Sequence, residues 1–393
     1  NLYNLNIKMD ALFFTDEHTM LVEMVREFAN NEVAPIAREL DESGEFPRNL
    51  VSQMAELGLM GIPISESLGG AGMDTVAYAA AIMELARADA SVAITMAAHT
   101  SLGTMPIVIA GTEEQKKKYV PPLATGEMIG AFGLTEPDAG SDAGATKTTA
   151  VKKGNEYIIN GGKIFITNAG EAGLLNLTTR VMDGDEDKGI GAFTISTDTP
   201  GLVIQPKEKK MGWCASDTRQ IFFEDMVVSE NNMLGTPGKG FKTFLKTLTN
   251  GRVSIAALSV GTAQGAYEKA LQYATERKAF GKEIYKFQAI SNKLADMATE
   301  IEAAKLMTFH AAWMKDQGLD IQKEAAMAKL LASEVAMRTT TEAIQIHGGY
   351  GYVKEYDVER YFRDAKILEI GEGTSEIQRL IIAKNIVNSV KAI

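Results

Sequence analysis

Three carboxylates cluster near the C-terminus, in the segment Glu369 to Arg379 (EIGEGTSEIQR): Glu369, Glu372 and Glu376. On a continuous helix they would share a face, but Gly371 and Gly373 bracket Glu372 and favour a turn there. Ser375 with Gln378 forms a capping-box pattern, so a new helix is predicted to begin at that point. Glu372 would then sit on a tight loop just ahead of a helix N-terminus. Backbone N–H groups can face an anion there, and a general base is well placed. Taken alone, the pattern more often describes a solvated loop glutamate.

Other chemistry-bearing residues are sparse. His18, His99, His310 and His347 lack metal-ligand spacing, and no metal site is expected. Cys214 is the single cysteine, which rules out an intrachain disulfide and suits a reducing compartment. Gly235 to Gly240 (GTPGKG) superficially suggests a phosphate loop, but the spacing fails and no Ser or Thr follows the lysine, so it reads as a turn. Gly70-Ala71-Gly72 lacks the third glycine of a dinucleotide fingerprint, which disfavours a nicotinamide cofactor held in the usual way. No serine-nucleophile elbow is present.

The net charge of -11 repels nucleic acid and anionic membrane, so neither is expected as a partner. Apolar residues make up 45% and charged residues 23%, as in a soluble protein with two or three domains at this length. No apolar run is read as approaching the ~18 residues of a membrane span. Residues Asn1 to Lys8 resemble neither a signal nor a transit peptide and read as an added extension, with Met9 the natural start.

The elements fall into three blocks: 1–125 helical, 126–235 β and 236–393 helical. In the first, Thr15 is a plausible N-cap ahead of Leu21, Met24, Val25 and Phe28 at helical spacing. Packed helices are predicted over Val76 to Ala110, after a glycine-rich loop at Ser67 to Asp74. In the second block, Glu156 to Ile159, Lys163 to Thr167, Ala192 to Ser196 and Gln220 to Phe223 read as strands. Asn160-Gly161-Gly162 and Asp183-Gly184-Asp185 read as turns. In the third, Leu294, Met297, Ile301, Ala304 and Thr308 make one face of a long helix, and a second runs from Lys323 to about Ile346. The fold class is α+β: a helical domain, a β barrel or sandwich, and a C-terminal four-helix bundle.

Six ordered motifs give the chain a resemblance to the acyl-CoA dehydrogenase family from about residue 11 onward, with short-, medium- and branched-chain members in view. They are Ala131 to Gly144 (AFGLTEPDAGSDAG), Gly162 to Asn168 (GKIFITN), Lys210 to Thr218 (KMGWCASDT), Arg277 to Gln288 (RKAFGKEIYKFQ), Gln345 to Gly351 (QIHGGYG) and Gly371 to Arg379 (GEGTSEIQR). The resemblance implies an FAD cofactor. Phe132, Leu134 and Thr135 match positions on one side of the flavin ring, and Phe165, Ile166 and Thr167 match those on the other. Ser141 matches a position near both flavin and CoA. Arg277, Phe280 and Gln288 match FAD phosphate or adenosine contacts. Gln345 and Gly349 match positions reaching FAD from a neighbouring subunit, and Thr374 and Glu376 match the loop beside the FAD phosphates and adenosine. At Glu376 a backbone N–H contact is the favourable one.

On the substrate side, Arg252 matches the arginine that holds the CoA end. Thr249, Leu102, Gly371 and Gly373 join Ser141 as expected acyl-CoA contacts. Some family members carry the catalytic glutamate just before this arginine. That position is Gly251 here, leaving Glu372 as the candidate base. Two departures stand out: Cys214 replaces an arginine, and Gly371 replaces the tyrosine that precedes the base in the short- and medium-chain branches.

The reaction implied is dehydrogenation of an acyl-CoA to a trans-2-enoyl-CoA. Glu372 takes the α-proton and the β-hydrogen leaves as hydride to flavin N5. The Glu372 N–H and a ribityl hydroxyl hold the thioester oxygen, and electrons pass to an electron-transferring flavoprotein. Burial should raise the proton affinity of Glu372. A homotetramer is expected, in a bacterial cytoplasm with a mitochondrial matrix as the alternative. Two rivals are an enoyl-CoA reductase running in reverse and a non-catalytic flavoprotein of the same fold.

Overall fold

A computed structural model describes residues 12–391. The proposed extension at Asn1 to Lys8 and the start at Met9 lie outside the described residues. Seven α-helices come first: α1 (Asp16–Phe28), α2 (Ala37–Ser43), α3 (Arg48–Glu56), α4 (Thr75–Ala88), α5 (Ala90–Ala98), α6 (Met105–Ala110) and α7 (Glu113–Ala124). Thr15 caps α1 as predicted, in a box closed by His18. Helices α5 and α6 are joined by a π-helical turn at His99–Thr104. The run Ala90–Ala110 is long and apolar enough to cross a membrane by length and hydropathy, contrary to the sequence expectation. Its 78% burial within the protein accounts for that composition, as in a core helix.

The middle strands are β1 (Gly130–Gly133), β2 (Thr149–Lys153), β3 (Glu156–Thr167), β4 (Leu174–Asp183), β5 (Glu186–Ser196), β6 (Leu202–Lys207), β7 (Thr218–Ser229) and β8 (Met233–Leu234). They form one sheet in the order β6-β7-β3-β2-β4-β5-β8, with β1 also pairing with β4. Both β1 and β2 run parallel to β4, one beyond the other along it; the remaining pairs are antiparallel. The predicted turn at Asp183-Gly184-Asp185 is the β4–β5 hairpin. The one predicted at Asn160-Gly161-Gly162 is not a turn. Strand β3 runs through it with a register shift between Ile159 and Gly161, where Gly161 has φ +139°. The glycines serve a bulge and close packing instead: a Cβ on Gly161 would meet Thr148, and one on Gly162 would meet Phe222.

The last block holds α8 (Gly240–Glu276), α9 (Gln288–Asp316), α10 (Gln322–His347), α11 (Val358–Lys366) and α12 (Ser375–Lys391). Helices α8, α9 and α10 pack on one another, and α12 packs on α10. All five residues of the predicted α9 face are buried. Polar bonds tie the blocks together. Asp89 ahead of α5 pairs with Arg360 at 2.7 Å, and the Trp213 N–H donates to Asp364 at 2.6 Å. Cys214 lies beside the Arg363–Asp41 pair, which joins α11 to α2, and burial lifts its thiol to about 11.

Candidate active site

Glu372 sits in the short connection between α11 and α12, with φ +51°. Left-handed backbone is rare for a residue with a side chain and concentrates at functional sites. The helix does start at Ser375, but its cap is Thr374: the Thr374 hydroxyl accepts from the Ile377 N–H at 3.3 Å. The predicted Ser375–Gln378 box does not form, because the Gln378 amide donates to the Glu372 and Gly373 carbonyls at 3.3 and 2.8 Å. The loop is therefore held from its C-terminal side by the helix that follows it.

Of the three clustered carboxylates, Glu369 pairs with Lys366 at 2.6 Å and Glu376 is exposed. Glu372 alone turns inward. Its Oε2 is fully buried and has no hydrogen-bond partner. It reaches the backbone of α8 at Gly251, where a Cβ would collide with that oxygen. Gly251 thus provides the space that the Glu372 carboxylate occupies. Burial pushes the Glu372 carboxyl up to about 7, against the pull of Lys329 and Arg252. A base titrating near neutrality is matched to proton abstraction at physiological pH.

Arg252 follows on α8. It is buried, its Nη1 donates to the Thr249 hydroxyl at 3.2 Å, and its Nε has no partner. An unsatisfied guanidinium N–H near an unsatisfied carboxylate oxygen marks a place for a polar ligand. Tyr78 on α4 donates to the Ala97 carbonyl at 2.9 Å, and its hydroxyl feels the Glu372 charge. Ala97 and Ala98 are both buried. His99 is pinned: its Nε2 meets the Leu123 carbonyl at 2.9 Å and its Nδ1 accepts from the Gly130 N–H at 3.0 Å. Burial lowers it to about 4, so the ring is neutral and fixed. Leu102 is partly buried within the π-helical turn, packed against the core.

The two flavin-loop motifs lie side by side, since the Ile164 N–H donates to the Thr135 carbonyl at 2.9 Å. Phe132 is buried and stacks on Phe244 at 4.2 Å, while Leu134 and Ile166 are also buried. Thr135 and Thr167 are half-buried and Ser141 is exposed. Phe165 has φ +57° and is 64% exposed, an apolar ring presented outward on the strand that carries Thr167 and that bonds to the Thr135 carbonyl. That ledge fits a planar group with apolar faces and polar edges, as the FAD ring requires. Beneath it lies a fully buried lysine, Lys163, which donates to the Leu134 carbonyl at 3.1 Å and to Glu136 at 2.6 Å.

Arg277, Phe280, Gln288, Gln345 and Gly349 are all exposed and come from the ends of α8, α9 and α10. Arg277 and Gly349 line one crevice, with Tyr350 stacked against the Arg277 guanidinium. Phe280 is 95% exposed with φ +49°, which is an apolar ring presented outward. Among the described residues there is no metal-binding cluster. Sequence reasoning missed Lys329, Tyr78 and Lys163. The available signal for Lys329 was a charge on an otherwise small-residue helix face, between Ala325, Ala326, Ala332 and Ser333.

Three family profiles cover the chain in order: acyl-CoA dehydrogenase N-terminal domain over 15–127, middle domain over 131–226 and C-terminal domain over 238–387. The chain belongs to the acyl-CoA dehydrogenase family, FAD-dependent oxidoreductases. Among its relatives, the probable acyl-CoA dehydrogenase YngJ of Bacillus subtilis is 53% identical, over 95% of this chain and 98% of that one. A 3-(aryl)acrylate reductase of Clostridium sporogenes is 43% identical, over 95% and 100%. The structure of butyryl-CoA dehydrogenase from Megasphaera elsdenii superposes with a TM-score of 0.93 at 43% identity, over 95% of this chain and 99% of that one.

Proposed function

We propose that the chain removes the α-proton of an acyl-CoA with Glu372 while the β-hydrogen is lost as hydride, giving a trans-2-enoyl-CoA. The observation that carries this is the inward Glu372 carboxylate, with one oxygen buried and unpartnered on a left-handed loop. FAD, when bound between the Phe132–Thr135 and Phe165–Thr167 segments, supplies the hydride acceptor. Arg252 orients the CoA end through its free guanidinium edge, Ser141 and Thr249 add polar contacts, and the Glu372 N–H donates to the thioester oxygen. Charge grows on that oxygen in the transition state, so a fixed donor there acts selectively. Exclusion of water by Phe132, Leu134, Ile166 and the α5 wall strengthens each of these interactions. Exposed Arg277, Phe280, Gln288, Gln345 and Gly349, with Thr374 and Glu376, suit an FAD site completed across subunits of a homotetramer. Electrons then leave to an electron-transferring flavoprotein.

The acyl group in this reading extends to branched, cyclic and aromatic chains. Gly371 lacks the ring that narrows the pocket in short- and medium-chain relatives; of the two bulky residues that could refill that space, Met96 and His99, His99 is held by bonds at both ring nitrogens. The 3-(aryl)acrylate reductase name of one relative favours the aromatic option and keeps the reductive direction as a second reading. A Cβ at Gly371 makes only ordinary contact with Ile367, and the backbone there is not left-handed, so the main chain accepts a side chain at this position. Anaerobic flavin reduction by butyryl-, isovaleryl- and 3-phenylpropionyl-CoA is the test. The tyrosine should cut kcat/KM for the two bulky substrates by about 10–100-fold, as overpacking by ~1–3 kcal/mol does, and spare butyryl-CoA. Equal loss on all three, or a wild type that accepts only butyryl-CoA, contradicts the wide pocket.

A further inference from the structure

Lys329 lies on the third turn of α10 and has no exposed surface. A buried ammonium must find acceptors and compensating charge. Its own helix offers Ala325, Ala326, Ala332 and Ser333 around it. The acceptor is instead the base loop: Lys329 Nζ donates to the Gly373 carbonyl at 2.8 Å. Gln378 on α12 donates to that same carbonyl at 2.8 Å. Two side chains from two helices thus grip one carbonyl, and it belongs to the residue that follows Glu372. Glu372 at φ +51° and Gly373 at φ +94° form a left-handed pair, which persists only where the surroundings fix it.

The charges around the carboxylate are few. Lys329 faces it from α10 and Arg252 from α8, while the Tyr78 hydroxyl approaches from α4. Glu369, ahead of the loop, and Glu376, at the start of α12, face Lys329 in turn.

We propose that Lys329 is a positioning residue for the base: it pins the Gly373 carbonyl so that Glu372 keeps its inward, left-handed conformation, and its positive charge favours the ionised carboxyl in a pocket whose burial opposes ionisation. This rests on Glu372 being the base. The sign follows from the geometry. A positive neighbour favours the carboxylate, so removing it raises the Glu372 proton affinity and leaves fewer molecules able to accept a proton at neutral pH. Burial draws Lys329 itself down to about 8, so the charge acts below that pH and fades above it. The loss is therefore largest near neutrality and closes in alkaline solution.

The experiment measures anaerobic flavin reduction by butyryl-CoA from about pH 6 to pH 10, on FAD-loaded wild type, Lys329→Gln, Lys329→Met and Glu372→Gln. FAD content and unfolding temperature are recorded for each. Both Lys329 variants should move the pH midpoint upward by roughly one unit, slowing reduction about 5-fold at pH 7, where a carboxyl titrating at about 7 falls from about half ionised to about a tenth. Both should recover most of that loss at high pH. Glutamine, which can still donate to the Gly373 carbonyl, should keep a higher alkaline plateau than methionine. A merely structural lysine would lower the plateau without moving the midpoint. An unmoved midpoint in the variants that fold overturns the proposal, and if methionine does not fold, the glutamine midpoint decides. A Glu372→Gln enzyme that reduces its flavin normally would instead remove the base assignment on which the proposal rests.

Discussion

Glu372→Gln is expected to slow flavin reduction by acyl-CoA by about 10²–10⁴-fold, the usual loss when a general base is removed. The amide keeps the size and planarity of the side chain but cannot take a proton. No neighbour substitutes. Gly251, at the alternative position for the base, has no side chain, and its Cβ space is filled by the Glu372 carboxylate itself. Glu369 is paired with Lys366 and Glu376 is exposed. FAD content and acyl-CoA binding should persist, because the loop stays held through its main-chain carbonyls rather than the carboxylate. Stopped-flow reduction, with a separate binding titration, distinguishes loss of chemistry from loss of binding. A near-wild-type reduction rate in the variant would show that another group takes the proton.

The second large effect is on stability. Lys163→Met should destabilise the protein by about 3–5 kcal/mol, the typical result of breaking a buried ion pair from one side. Lys163 has no exposed surface, and its ammonium contacts Glu136, Thr146, Thr178 and the Leu134 carbonyl. Burial pushes the Glu136 carboxyl up, but Lys163 together with bonds from Thr146 and the Lys147 N–H overcomes this and holds it at about 2. Methionine fills much of the same volume and leaves that carboxylate buried beside an apolar chain. The Leu134 carbonyl loses its anchor as well, so FAD retention should weaken together with stability. Denaturant unfolding and FAD release measure both. Adding Glu136→Gln to Lys163→Met should recover part of the loss, since it removes the stranded charge. A single variant as stable as wild type would mean that the pair is not a structural requirement.

The order of helices, sheet and helices was legible because the hydrophobic period changes from helical to alternating and back along the chain. Helix α10 was found nearly to the residue and the buried face of α9 was read correctly, since their buried positions step by three and four. Short-range signals were less reliable. Asn160-Gly161-Gly162 carries every local mark of a turn, yet β3 continues through it. The glycines answer to Thr148 and Phe222 across the sheet, which no local pattern reveals. The capping pattern at Ser375 and Gln378 identified the right helix start with the wrong partners, because Gln378 is drawn to the carbonyls of the loop before it. Glu372 was found through its motif. The space over Gly251, the grip of Lys329 and the unpartnered Arg252 edge depend on three helices meeting, and sequence spacing does not encode that meeting.

The most direct test is to mix the purified, FAD-loaded protein with acyl-CoA in the absence of oxygen. The yellow colour should bleach, with one trans-2-enoyl-CoA formed per FAD reduced. A preparation that binds FAD and acyl-CoA yet stays yellow with butyryl-, isovaleryl- and 3-phenylpropionyl-CoA alike would contradict the assignment of Glu372 as the base of an acyl-CoA dehydrogenation.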